Sequence, residues 1–159
     1  MGAKKALYTL FISLIVCLAG CVGEKEEPEW YLQPGDALPQ FEVMTIDGKK
    51  ISSADSYTAE LVIVFFNTTC SDCRRELPIM QKQYEANQKL PERERSIYIC
   101  ISRAEGAADV ERYWTENHLS LPVSAQPDRR IYSMFASIGI PRIFHAKDGL
   151  ITNSLYPAE

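Results

Sequence analysis

Six consecutive apolar residues, Leu61-Val62-Ile63-Val64-Phe65-Phe66, constrain this 159-residue chain more than any other feature, because Cys70-Ser71-Asp72-Cys73 follows only three polar residues later. An unbroken apolar run rich in β-branched and aromatic side chains suits a strand covered on both faces. Cys70 to about Lys89 then reads as a helix, with Thr69 and Ser71 as capping candidates and Pro78 as an expected kink. Ser96–Ile101 is a second buried-strand candidate, and Ala107–His118 has helical spacing at Val110, Tyr113 and Trp114. Leu121–Val123 reads as a short strand and Asp128–Ala136 as a helix capped by Asp128. Asp47-Gly48 and Asp148-Gly149 each sit between apolar runs and predict hairpins at the two ends. Strands alternating with helices predict an α/β fold with a central mixed sheet flanked by helices and preceded by a β-hairpin.

The N-terminus obeys different rules. Lys4 and Lys5 precede a largely apolar run from Ala6 to Leu18, shorter than the ~20 residues that a bilayer span requires. A positive start, a short apolar core and small residues before a break have the layout of a secretory signal. Leu18-Ala19-Gly20-Cys21 resembles the lipobox of bacterial lipoproteins. That resemblance implies cleavage after residue 20 and lipidation of Cys21, and hence an exported chain held to a bacterial membrane by its acyl chains. Residues 21–37, with Glu24, Lys25, Glu26, Glu27, Pro28, Pro34 and Gly35, read as part of a solvated tether extending to about Pro39. Residues 38–159 are left for the domain, which is placed in the periplasm or extracytoplasmic space. The net charge of −4 gives no electrostatic invitation to nucleic acid.

Of five cysteines, Cys17 would leave with the signal and Cys21 would carry lipid, leaving Cys70, Cys73 and Cys100. Cys70 stands at a strand-to-helix junction, where unpaired amide N–H groups and the helix dipole favour a thiolate, the reactive form. Cys73 lies one turn on, within reach to resolve a mixed disulfide. Two plainer readings compete. Half a zinc site fails for want of a second C-x-x-C or a close His pair, since His118 and His145 are far apart in sequence, so no metal or other cofactor is expected. A purely structural disulfide stays open, because an exported setting permits one. Cys100 reads as a small core hydrophobe, Trp114 and Tyr113 as packing, His145 as a strand residue, and Arg74-Arg75 as solvated.

Phe65 through Pro78, with Cys73, Glu76, Leu77 and Pro78 in register, resembles the thioredoxin superfamily, and within it the TlpA/ResA-like thiol–disulfide oxidoreductases. Gly139-Ile140-Pro141 resembles that family's cis-proline loop. The resemblance, covering roughly Leu38 to Leu155, implies a thioredoxin-like fold. It also implies a redox disulfide between Cys70 and Cys73, and backbone pairing of Ile140, ahead of cis-Pro141, with a bound substrate chain. The implied partners are exported protein thiols and disulfides, with recharging by an unidentified membrane electron donor. Glu76 is a candidate proton acceptor or donor beside the pair, and Asp72, by opposing a thiolate, favours a reductase.

Three departures bear on partner choice: Thr69 stands where the family has Trp, Arg142 where Thr is common, and the chain stops before the family's C-terminal helix. Arg142 is expected to bring a charge near the site. A peroxidase reading fails on the motif P-x-x-x-[TS]-x-x-C, since Ile63 and Asn67 occupy the Pro and Thr/Ser places before Cys70. A thioredoxin-fold binding or assembly module is the non-enzyme alternative.

Overall fold

The computed structural model describes residues 29–157. Cys21 and the rest of the predicted signal and lipidation segment lie outside the described residues. A hairpin of β1 (Glu42–Met44) and β2 (Lys50–Ser52) precedes β3 (Leu61–Phe66), α1 (Ser71–Gln88), β4 (Ile97–Ser102), α2 (Ala107–Glu116), β5 (Val123–Ser124), β6 (Arg142–Lys147) and β7 (Leu150–Leu155). The second sheet has the order β5-β4-β3-β6-β7, with β4 parallel to β3 and β5, and β6 antiparallel to β3 and β7.

The apolar run lies where its composition puts it: β3 is central and every one of its side chains is buried. Full burial of each such side chain stabilises the fold by roughly 1.5–3 kcal/mol. Alternation along the strand divides the core in two. Phe65 packs on one face against Tyr132, Phe135 and Phe144, with centroids 5.4, 5.0 and 6.2 Å away. Phe66, on the other face, meets Trp114 of α2 at 4.9 Å, and Tyr84 of α1 meets Tyr98 of β4 at 5.6 Å.

Helix α1 passes through Pro78 as one continuous helix. Its N-cap is Cys70, whose sulfur accepts the Cys73 amide; the predicted candidates Thr69 and Ser71 do not cap it.

The predicted helix over Asp128–Ala136 is a single 3₁₀ turn, Tyr132–Met134, and the Asp128 carboxylate accepts the Arg130 amide at 2.9 Å instead of capping a helix. Its backbone is engaged elsewhere. Leu32 N–H donates to Phe135 O at 2.9 Å, Ser137 N–H donates to Trp30 O at 2.9 Å, and Tyr31 bridges Ala136. Those partners belong to the stretch whose composition reads as tether. From Trp30 onward that stretch is docked, with Gly35 N–H on Ile151 O and Leu38 N–H on Gly149 O covering part of the β7 edge. Among the described residues no helix follows β7, and no helix is long and apolar enough to cross a membrane.

Candidate active site

A polar turn ends β3 and presents the first cysteine. Asn67 Oδ1 accepts the Thr69 amide at 2.8 Å and the Thr69 hydroxyl at 2.6 Å, and Cys70 N–H donates to Asn67 O at 3.1 Å. An Asx turn of this kind gives the chain a defined exit from the sheet. Thr68, buried inside the turn, donates its amide to Glu105 Oε2 at 2.9 Å, and its hydroxyl bonds to Glu105 Oε1. Arg74 Nε reaches back to Thr68 O at 2.7 Å. The turn is thus fixed from α1 on one side and from the loop after β4 on the other.

The two thiols are unbridged and differently placed. Cys70 is half-buried and accepts the Cys73 amide at 3.3 Å, a donor available because the first turn of a helix leaves its N–H groups free. Cys73 is fully buried, and desolvation, with the neighbouring Cys70 thiol next in weight, pushes its pKa far above the ordinary cysteine value. Such an arrangement allows an accessible nucleophile with a second thiol held in reserve behind it. Glu76, one turn beyond Cys73, is half-buried, and desolvation raises its carboxyl pKa. Asp72 is paired with Arg75 on the exposed side of the first turn, which offsets its charge beside the thiols.

Facing Cys70 is the loop Ser137–Pro141, with a cis Ile140–Pro141 bond. Four successive carbonyls of this loop each accept a side-chain donor. Arg129 Nη2 reaches Ser137 O at 3.2 Å, Arg142 Nε reaches Ile138 O at 3.2 Å, the Tyr132 hydroxyl reaches Gly139 O at 2.7 Å, and the Cys70 thiol reaches Ile140 O at 3.7 Å. Gly139 has φ +86°, and a Cβ there would stand 3.2 Å from the Tyr156 ring and 3.3 Å from Arg142 Nη2. Glycine is therefore required twice, by conformation and by space.

Cys70, Cys73, Ile140 and Pro141 thus meet at one place, with Glu76 on the adjoining helix turn. Arg142, expected near the site, is 6% exposed, its guanidinium stacked on Tyr31 at 4.0 Å and Tyr156 at 4.7 Å. Arg74 also does more than face solvent, lying 5.9 Å over the Tyr113 ring. Cys100 is wholly buried on β4, and that burial pushes its thiol pKa up. His145 pairs with Glu60 at 2.9 Å, three positions along β6 from Arg142. The sequence reading missed Glu105 and Tyr132: a lone carboxylate 37 residues from its partner carries no local signal, and Tyr132 reads only as core.

A C-x-x-C pair at a strand-to-helix junction, faced by a cis-proline loop on a thioredoxin-like sheet, defines a thiol–disulfide oxidoreductase. The comparisons agree, since the AhpC/TSA family profile matches residues 34–151, and the chain belongs to that family. It is 26% identical to the thiol–disulfide oxidoreductase ResA of Bacillus cereus over 163 residues, covering 98% of this chain and 90% of that one. Among solved structures, a Bacteroides thetaiotaomicron protein provisionally described as a protein disulfide isomerase superposes with a TM-score of 0.73 at 21% identity, covering 84% and 85% of the two chains. StoA from Bacillus subtilis superposes with a TM-score of 0.64 at 22% identity, covering 76% and 90%. The two structural likenesses concern the fold.

Proposed function

We propose that this enzyme is exported, anchored to a bacterial membrane through lipid on Cys21 after loss of residues 1–20, and exchanges disulfides with exported proteins. Residues from 21 to the docked Trp30 form the tether, and the domain follows. The Cys70 thiolate attacks a substrate disulfide, forming one mixed disulfide and releasing one substrate thiolate. Cys73, on losing its proton, attacks Cys70, closing the Cys70–Cys73 disulfide and releasing the second substrate thiol. Two electrons pass to the substrate, and a membrane dithiol donor returns the pair to the reduced state. Glu76, whose carboxyl pKa is raised by desolvation, is suited to take the proton that Cys73 must lose. Ile140, beside cis-Pro141, offers backbone pairing to the substrate segment.

The observation that carries this reading is the asymmetry of the pair: a half-exposed Cys70 receiving an amide, and a Cys73 buried behind it. The reducing direction is supported by Asp72, which adds negative charge in the first turn of α1 and is offset by Arg75 only at the surface. Cys73→Ala in membranes should accumulate mixed disulfides with exported proteins through Cys70. The absence of adducts, together with no reduction of insulin, would refute the exchange reading, and a soluble chain without lipid would refute the anchor.

A further inference from the structure

The carbonyl-holding side chains of the Ser137–Pro141 loop leave a charge unaccounted for. Arg103 lies 5.0 Å over the Tyr132 ring and Arg129 lies 5.6 Å from its centroid, while Arg142 is stacked next door between Tyr31 and Tyr156. Among the described residues none of the three has a carboxylate within 4.0 Å. Glu105 and Asp128, close in sequence to Arg103 and Arg129, point their carboxylates at Thr68 and at the Arg130 amide instead. Arg142 is 94% buried by its neighbours, yet only its Nε has a hydrogen-bond partner among the described residues, and its Nη2 edge lies against Gly139. Beside Arg129 opens a shallow cavity of about 340 Å³ lined by Trp30, Arg129, Ser133, Ala136 and Ser137.

We propose that Arg103, Arg129 and Arg142 form a cationic rim that seats an acidic segment of the substrate protein, with Asp or Glu flanking the cysteines to be reduced. The inference rests on the exchange reading above and adds the substrate class. In a chain of net charge −4 the cluster is a local exception, so it orients an acidic partner toward the thiols instead of drawing it to any face. Two of its members are recessed, which suits a strand laid along the loop better than a flat anionic bilayer.

The test uses the full chain, purified in detergent and fully reduced, with two synthetic peptides carrying one intramolecular disulfide. The peptides differ only in Glu or Lys at the positions flanking the cysteines. The expected kcat/KM favours the Glu peptide by about tenfold at low salt, and the preference shrinks as salt rises. Arg129→Gln and Arg103→Gln, which keep a hydrogen-bond donor and remove a charge, each lower that ratio about threefold. Equal reduction of both peptides, or a ratio that neither substitution moves, overturns the rim and leaves the exchange reading intact. Reduction of neither peptide removes both readings. If Arg129→Gln leaves the ratio alone but weakens binding to phosphatidylglycerol vesicles, the cluster is a lipid contact and the proposal fails.

Discussion

The two walls of the redox cleft are built in different ways. On the Cys70 side, strand, turn and helix follow one another within a single stretch of sequence, and a local Asx turn and a helix N-terminus set the geometry. On the opposite side, Ser137–Pro141 has no regular structure of its own and takes its shape from Arg129, Tyr132 and Arg142, with Tyr31 and Tyr156 stacked behind. Reactivity in this protein is therefore a short-range property, whereas the surface that a partner meets is assembled from remote segments.

Substitutions on the first wall should cost chemistry. Cys70→Ser is expected to lower disulfide reduction by at least ~1,000-fold, because the nucleophile is lost while the cap position keeps an oxygen acceptor. A smaller loss in an insulin-reduction assay would mean that Cys73 can start the reaction, and the contrast between the walls would collapse.

Glu105→Ala removes the tie between the first wall and the loop after β4. It leaves the buried Thr68 amide without an acceptor, a loss of about 1–3 kcal/mol. Urea unfolding should show the shift in midpoint at unchanged slope, and Glu105→Gln, which keeps one acceptor, should recover part of it.

Tyr132→Phe probes the second wall alone. The Gly139 carbonyl loses its 2.7 Å donor, and the expected cost is about 0.5–1.5 kcal/mol. A raised KM for a protein disulfide, with the alkylation rate of Cys70 unchanged, would sharpen the division between the walls. A fall in the Cys70 rate would blur it.

The smallest effect concerns Glu76. Burial raises its folded pKa, so its contribution to stability is fully present below the ordinary glutamate value and is lost as pH rises through the raised one. Glu76→Gln should therefore melt above the wild type near pH 7, and the two should converge below about pH 4. A wild type that melts higher at neutral pH would show that the carboxylate is stabilised by a partner.

The same division explains what could be read from sequence. Leu61–Phe66, the C-x-x-C and the start of α1 were legible because their signals are local: composition, spacing and a strand-to-helix junction. The Asp128–Ala136 stretch has helical periodicity, but the backbone of Phe135, Ala136 and Ser137 pairs with Trp30–Leu32, more than a hundred residues away. No propensity argument sees that competition, and it misled in both places, since the docked end of the supposed tether is the competitor. Arg142 was visible as a departure from the family pattern, yet its aromatic stacking depends on Tyr31 and Tyr156 from opposite ends of the chain. Glu105 left no trace because a single acid in a polar loop looks solvated until its partner is known.

The asymmetry of the two thiols is tested most directly by alkylation. The reduced full chain is treated with limiting iodoacetamide near neutral pH, and the adducts are located by peptide mapping. The predicted outcome is modification of Cys70 well before Cys73, with Cys100 untouched until the protein unfolds. Equal or faster modification of Cys73 would contradict the account.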